Sequence, residues 1–231
     1  MTVARRILGE SAHRAALRVR REACERLGIY RYSTAGLWPE LRRYLPRGPG
    51  HVFLEAGAHD GWTGSNTYSL ERIWKWRGVL VEPVPELYAE CLRNRPHAQV
   101  FNCALVSHGY DEPDVEIEAA GLLSTLTASA LLQRSRDSAC AYYGRAGEKV
   151  RVPARTLDWV LQQSGVDTLD FLSLDVEGFE AAALGGLDLN TRAPRTILVE
   201  ANFPEDIAAI LDPRYRLVAT FHERDCLYML R

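Results

Sequence analysis

A short apolar run followed by a glycine-rich turn constrains the fold of this chain most. Residues 51–54 are largely apolar, Glu55 ends the run, and two glycines then bound the segment Gly57-Ala-His-Asp-Gly61. Glycine lets a backbone turn sharply and approach a ligand closely. The pattern therefore predicts a buried strand, a tight turn and a following helix.

A second acid lies at the position where nucleotide-binding folds of this kind bind a ribose. Another apolar run ends at Glu82, twenty-one residues beyond Gly61, which is about the distance expected for a ribose-binding acid. The dinucleotide fingerprint G-x-G-x-x-G is absent, because His59 and Trp62 occupy its second and third glycine positions. The carboxylate of Glu55 would repel phosphates and suit an ammonium group. The two segments together predict a pocket for an adenosine-containing cofactor. The pattern E-x-G-x-x-x-G resembles the first motif of class I S-adenosylmethionine (SAM) methyltransferases.

Composition indicates a globular protein with one large domain. The chain has 231 residues, of which 47% are hydrophobic and 25% charged. No apolar run reaches the roughly 20 residues that cross a bilayer, and a secretory signal pattern is absent. The five cysteines are dispersed and form no C-x-x-C pair. We therefore expect reduced thiols in a cytoplasmic protein.

The N-terminal segment is strongly basic. Residues 1–50 hold eleven arginines against four glutamates, a net charge of +7. We expect a helical extension over 1–50, with an amphipathic helix over 4–27 that packs on the main domain at 51–231. Contact with an anionic membrane or a nucleic acid is the alternative. No nucleic-acid motif supports the latter, so no nucleic-acid partner is expected.

Apolar and helical segments alternate through the main domain. Strands are predicted over 52–56, 78–82, 98–105, 169–175 and 195–201, and helices over 66–76, 85–94, 156–163, 179–185 and 204–211. Two further strands, 215–221 and 226–230, flank a polar turn and predict a β-hairpin. The pattern indicates an α/β fold: a mostly parallel seven-stranded sheet with helices on both faces and an antiparallel C-terminal hairpin strand.

Residues 119–149 interrupt this alternation. Their length, their glycines and their place before the fourth parallel strand favour a lid over the substrate. Ser124, Tyr142 and Tyr143 are then candidate substrate contacts. The alternatives are a contact within a homo-oligomer or a plain excursion of the chain.

Several motifs, in this order and spacing, resemble the FkbM family of SAM-dependent O-methyltransferases. They are Glu55-Ala-Gly-Ala-His-Asp-Gly61, Gly64-Ser-Asn-Thr-Tyr68, Val81-Glu-Pro83, Arg155-Thr-Leu-Asp158, Asp170-Phe-Leu-Ser-Leu-Asp-Val-Glu-Gly178 and Val199-Glu200. The resemblance runs from about residue 50 to the C-terminus. It implies the class I SAM-methyltransferase (Rossmann-like) fold and methyl transfer to a hydroxyl of a sugar, glycoside or polyketide-type natural product. Glu55 stands where Asp is common in the family, and His59 where Asn is common.

The cofactor residues are expected beyond the carboxyl ends of the parallel strands, where open α/β sheets bind ligands. Glu55 and Gly57 should serve the amino-acid half of SAM, and Glu82 its ribose hydroxyls. Cys103 would flank the adenine, unless it is a buried core thiol. The full predicted set is Glu55, Gly57, His59, Asp60, Gly61, Ser65, Asn66, Glu82, Pro83, Cys103, Ala104 and Asp175.

The chemical step requires a base for the acceptor hydroxyl. His222, Asp175 and Glu177 are the candidates. His222 is favoured, because histidine titrates near neutral pH and Asp225 could orient it.

A metal site is the second way to activate the hydroxyl. The oxygens of Asp175, Glu200 and Asn202 would suit Mg²⁺, and Asn202 is also a candidate substrate contact. Alternatively, Asn202 caps the helix from Pro204 and Glu200 holds a backbone amide. The proton-removal model is favoured over the metal.

Two other functions remain open at this point. A nicotinamide-dependent oxidoreductase is disfavoured by the missing glycine fingerprint and by the absence of a Tyr-x-x-x-Lys pair. A non-catalytic SAM-binding scaffold is disfavoured because acids stand at each strand end where a catalytic site needs one.

Overall fold

The computed structural model describes residues 19, 37–118 and 149–231. The chain separates into two compact units, Met1–Arg31 and Tyr32–Arg231, and the elements that follow belong to the second. Apart from residue 19, the amphipathic helix predicted over 4–27 lies outside the described residues, as do nearly all of the predicted lid and Ser124, Tyr142 and Tyr143.

The main sheet has seven strands, which are β1 Val52–Ala56, β2 Arg77–Val81, β3 Gln99–Phe101, β7 Phe171–Leu174, β8 Thr196–Glu200, β9 Tyr215–Phe221 and β10 Asp225–Leu230. Their order in the sheet is β3-β2-β1-β7-β8-β10-β9. The first five strands in the sheet order are parallel, and β10 pairs antiparallel with both β8 and β9. The predicted parallel sheet with an antiparallel C-terminal hairpin strand is confirmed.

The helices cover both faces of this sheet, as predicted. They are α1 Trp38–Leu41, α2 Tyr68–Trp74, α3 Pro85–Asn94, α4 Leu157–Ser164, α5 Glu180–Leu184 and α6 Pro204–Leu211. Alternate side chains of a strand point to opposite faces. Leu54 and Leu172 accordingly pack with α4, α5 and α6, whereas Phe53 and Phe171 pack with α1 and α2. The segment 37–45, part of the predicted N-terminal extension, therefore contributes to this core.

A second, three-stranded sheet differs from the sequence prediction. It consists of β4 Ala104–Leu105, β5 Asp114–Glu118 and β6 Lys149–Arg155, in the order β4-β6-β5. The single strand predicted over 98–105 is wrong, because the chain leaves the main sheet after Phe101 and joins β6 at Ala104. Strands β5 and β6 were not predicted.

The order of the strands places a switch point between β1 and β7. Ala56 at the end of β1 pairs with Val81 of β2 on one side and with Leu174 of β7 on the other. The carboxyl ends of these strands therefore share one edge, where α/β sheets bind their ligands.

Candidate active site

The glycine turn after β1 is packed between the ends of β2 and β7. Gly57 has φ +79°, and a Cβ at this position would lie 1.7 Å from the carbonyl oxygen of Asp175. The amides of Gly57 and Ala58 both donate to the carbonyl of Val81, at 3.1 Å. The turn therefore requires glycine, both for its left-handed backbone and for the close approach of β7.

Asp60 holds the shape of this turn. Its carboxylate accepts hydrogen bonds from the amides of Trp62 and Thr63, at 2.9 and 2.6 Å, and from the hydroxyl of Thr63, at 2.7 Å. Burial pushes the pKa of Asp60 up, but hydrogen bonds from His59, Thr63 and Trp62 outweigh it and lower the pKa to about 2. Asp60 was predicted to contact the cofactor, and the structure places its carboxylate on the turn itself.

Glu55 is buried and organises the segment that leads into α2. One carboxylate oxygen accepts the amide of Asn66, at 2.7 Å. The other accepts the hydroxyls of Ser65 and Thr67, at 2.7 and 2.6 Å. The side-chain amide of Asn66 donates to the hydroxyl of Ser173 on β7, at 3.2 Å. The structure thus brings together the predicted residues Glu55, Ser65 and Asn66.

Sequence reasoning missed Arg95, which lies directly after α3. Its side chain is fully buried, and its Nε donates to Glu71 at 2.6 Å. The rings of Phe53 and Tyr68 lie 5.4 and 5.6 Å from the guanidinium carbon. Charged residues are rarely buried unless they are paired, so the sequence favours solvent for this arginine.

Glu82 stands directly after β2, at the edge where the turn lies. Its carboxylate oxygens accept the amides of His59 and Val84, at 2.8 and 2.9 Å. His59 has the left-handed φ of +52°, which is uncommon for a residue other than glycine. Burial raises the pKa of Glu82 to about 7, against the opposing effect of the Val84 and His59 amides. Each oxygen makes one of these bonds and keeps acceptor capacity for a ribose hydroxyl.

Asn102 is a second residue that the sequence did not reveal. Its side-chain amide donates to the carbonyls of Glu82 and Pro83, both at 2.8 Å. This bridge ties the end of β3 to the predicted ribose site. Cys103 and Ala104 follow and are both buried. Burial raises the pKa of the Cys103 thiol to about 12, as for a core thiol.

Asp175 lies at the end of β7, beside the glycine turn. Its side chain reaches solvent on one side and is crowded by protein atoms on the others. Its carboxyl hydrogen-bonds that of Glu200, and its pKa is raised by burial and then by the charges of Glu200 and Glu177. Two carboxyls in contact cannot easily both ionise, so the raised pKa lets Asp175 hold a proton.

The turn after Asp175 has a strained backbone. Glu177 adopts φ +55°, in the left-handed region that favours glycine. The carboxylate of Glu180 accepts the amides of Val176 and Gly178, at 3.1 and 3.0 Å. Burial, and then the charge of Glu200, raises the pKa of Glu177. The motif D-V-E-G thus presents two carboxyls with raised pKa values.

His222 lies on the turn between β9 and β10 and is exposed. Within the described part of the chain, no hydrogen bond joins it to Asp225. Burial, and then the charge of Glu200, raises the pKa of Asp225, while His222 lowers it. The two residues are close enough to interact electrostatically, but the expected bond that would orient the imidazole is not formed.

The oxygens proposed for Mg²⁺ have other partners. The guanidinium of Arg224 lies 3.4 Å from Glu200 and 3.1 Å from the side-chain oxygen of Asn202. Among residues 37–118 and 149–231, no three His, Cys, Asp or Glu side chains are grouped to hold a metal ion. The helix that begins at Pro204 has no side-chain cap, so the alternative role of Asn202 as a cap is wrong.

A cavity of about 670 Å³ lies elsewhere and includes none of the predicted site residues. It is lined by His108, Asp158, Leu184, Gly185, Leu187, Asp188, Leu189, Asn190, Ile210, Pro213 and Arg214. Asp158 accepts the amide of Asp188 at 3.0 Å and pairs with His108 at 3.1 Å. Thr156 caps α4 by accepting the amide of Trp159. The R-T-L-D motif therefore contributes to structure rather than to the strand-end site.

The strand order and the acids at the strand ends are those of a Rossmann-like sheet that binds a ligand at the carboxyl edge of its parallel strands. The model of the methyltransferase FkbM domain matches residues 55–226. The chain belongs to this family and is a methyltransferase of the SAM-dependent class. Because the chain belongs to a methyltransferase family, the interpretation as a nicotinamide-dependent oxidoreductase is abandoned.

Solved structures of SAM-dependent methyltransferases resemble the chain at low identity. A TehB-like methyltransferase from Corynebacterium glutamicum is 12% identical, with 96% of this chain and all of that chain covered and a TM-score of 0.45. A Podospora anserina methyltransferase with bound S-adenosylhomocysteine (SAH) is 10% identical, with coverages of 78% and 71% and a TM-score of 0.41. Aeropyrum pernix fibrillarin with bound SAM is 12% identical, with coverages of 81% and 69% and a TM-score of 0.39.

Two further searches, one for curated relatives and one for membrane-spanning helices, gave negative results. A search of curated proteins gave no match to this chain. Within the described ranges, no helix has the length and apolar character that crossing a bilayer requires.

Proposed function

We propose that this chain transfers a methyl group from SAM to a hydroxyl of a small molecule, such as a sugar, a glycoside or a polyketide-type product. The carboxyl pair of Asp175 and Glu200 carries the proposal. The pair lies at the strand ends beside the glycine turn, and burial raises the pKa of Asp175. A carboxylate with a raised pKa is a better base, and an alcohol needs a base to become an effective nucleophile.

The residues around the turn fit the cofactor by the chemistry of their donors and acceptors. Glu82 offers two fixed carboxylate oxygens, which suit the two hydroxyls of a ribose. Pro83, which follows Glu82 directly, is the nearest predicted apolar residue for the adenine, since Cys103 and Ala104 are buried in the core. The acid Glu55 behind the turn suits the amino-acid end, which carries an ammonium group.

The protein has little covalent chemistry to perform. SAM supplies an activated methyl group when it is bound. Asp175 would take the proton of the acceptor hydroxyl as its oxygen accepts the methyl group, and SAH would be the leaving group. Glu200 lies against the Asp175 carboxyl, and Glu177 would orient the acceptor. Asp175 is preferred to His222, because its carboxyl contacts that of Glu200 beside the glycine turn, whereas the imidazole lacks an orienting bond.

Methyl-labelled SAM tests this function directly. The chain is incubated with labelled SAM and a panel of monosaccharides, glycosides and polyketide alcohols. We expect label in a product whose new methyl group resists mild base and gives the NMR signal of a methyl ether. Label in a base-labile ester or on nitrogen would contradict O-methylation. Absence of transfer across the panel, by protein that binds SAH, would favour the non-catalytic scaffold.

A further inference from the structure

Two members of a buried charge network behind the turn, Glu71 and Arg95, have no role in the mechanism above. Glu55, Glu71 and Arg95 have side chains that are 5%, 7% and 0% exposed. Two carboxylates share one guanidinium, so the ionised network carries a net charge of −1. Buried ion pairs are costly to form, and a structural role alone would be served as well by apolar side chains.

Arg95 contacts both ends of the segment 61–67. Its Nη1 donates to the carbonyl of Gly61, at 3.1 Å, and to the hydroxyl of Ser65, at 3.2 Å. Its Nη2 donates to the hydroxyl of Thr67, at 3.2 Å. A Cβ on Gly61 would lie 2.9 Å from the Cγ of Arg95. The segment 61–67 therefore packs directly against the side chain of Arg95.

The hydroxyls of Ser65 and Thr67 connect Arg95 to Glu55 through hydrogen bonds. Ser65 and Thr67 accept from Arg95 and donate to the same oxygen of Glu55, at 2.7 and 2.6 Å. Each hydroxyl has one proton, which it donates to Glu55, and the Ser65 oxygen also accepts the amides of Thr67 and Tyr68. Glu71 binds Nε of Arg95 at 2.6 Å and fixes the plane of the guanidinium. The position of the Glu55 carboxylate thus depends on Arg95 and Glu71.

We infer that Arg95 and Glu71 are positioning residues for the amino-acid end of SAM. They act through Glu55 and the segment 61–67 and do not touch the cofactor. The net charge of −1 behind the turn favours an ammonium group there, while the ribose is held at Glu82 on the other side of the turn. The inference rests on the proposed SAM site, but it does not depend on the acceptor or on the base.

Two ligands that differ only at the amino-acid end separate positioning from stability. SAH and 5′-methylthioadenosine share the adenosine and the thioether, and only SAH carries the amino acid. Arg95→Lys keeps the charge and loses the planar fork. We expect this variant to bind SAH at least about tenfold more weakly, since hydrogen bonds to charged groups are involved, and to bind 5′-methylthioadenosine within about twofold of wild type.

Asp170→Asn is the matched control. Asp170 is also a buried acid, which accepts the amide of Val52 at 2.9 Å and lies 3.2 Å from His51. It stands at the amino end of β7, away from the turn. We expect it to lower stability while the ratio of the two dissociation constants stays at the wild-type value.

The outcomes are distinguishable. Parallel weakening of both ligands in Arg95→Lys, or no change in either, would overturn the inference. If Arg95→Lys does not fold, Thr67→Val removes one of the hydroxyls instead, and the same selective loss of SAH affinity is expected on a smaller scale. Failure of the wild-type chain to bind either ligand would contradict the SAM site itself, and the inference with it.

Discussion

Asp175→Asn should lower the rate of methyl transfer about 10²–10⁴-fold, the usual effect of losing a general base. An amide has nearly the shape of a carboxyl but does not take up a proton. The wild-type rate should fall as the pH drops through the raised pKa of Asp175, because only the ionised carboxylate accepts a proton. Initial rates with labelled SAM measure the effect. SAH affinity should change little.

His222→Ala is the companion variant, because the sequence favoured this histidine as the base. The structure gives His222 no bond that would orient its imidazole, so we expect near-normal turnover. A large loss in His222→Ala with near-normal Asp175→Asn would reverse the assignment. Dialysis of the wild-type protein against a chelator should be harmless. If it abolishes turnover, a metal at Asp175, Glu200 and Asn202 replaces the proton-removal model.

Gly57→Ala should strongly destabilise the protein and abolish SAH binding. The new Cβ would lie 1.7 Å from the carbonyl oxygen of Asp175, in a residue with φ +79°. Left-handed strain and overpacking each cost about 1–3 kcal/mol, so roughly 2–6 kcal/mol of unfolding free energy should be lost. Chemical denaturation followed by tryptophan fluorescence measures the loss.

Gly165→Ala is the matched control for this variant. Gly165 has a similar φ of +64°, but nothing lies within 4 Å of a Cβ placed there. The backbone strain is therefore comparable and the clash is absent, so we expect a loss of only about 1 kcal/mol. Equal losses in the two variants would show that the close approach of the turn to β7 does not matter.

The sequence predicted correctly those strands and turns whose structure depends on residues close together in the chain. The apolar run, the glycines and the acid Glu82 specify β1, the turn and β2 through properties of neighbouring residues. The break at 102–103 was missed, because it depends on the bond between Asn102 and the carbonyls of Glu82 and Pro83, some twenty residues earlier. The residues of β5 and β6 alternate as in a strand, but the sequence prediction did not include these two strands.

The candidate site shows the same division between local and long-range effects. The acids at the strand ends were predicted, because their place follows from the strands. The burial of Arg95 and the pairing of Asp175 with Glu200 depend on packing between distant segments. The choice between Asp175 and His222 follows from that packing, so the sequence alone could not make it.

Calorimetric titration of SAH tests the central claim that Glu82 holds the ribose of SAM. Burial raises the pKa of Glu82 to about 7, so most of this carboxyl is protonated at pH 6 and ionised at pH 8. Because the ionised form accepts both ribose hydroxyls, wild-type affinity should be about tenfold weaker at pH 6 than at pH 8. Glu82→Gln should bind about tenfold or more weakly at pH 8, with no such pH dependence. Unchanged SAH affinity and pH dependence in Glu82→Gln would contradict the account.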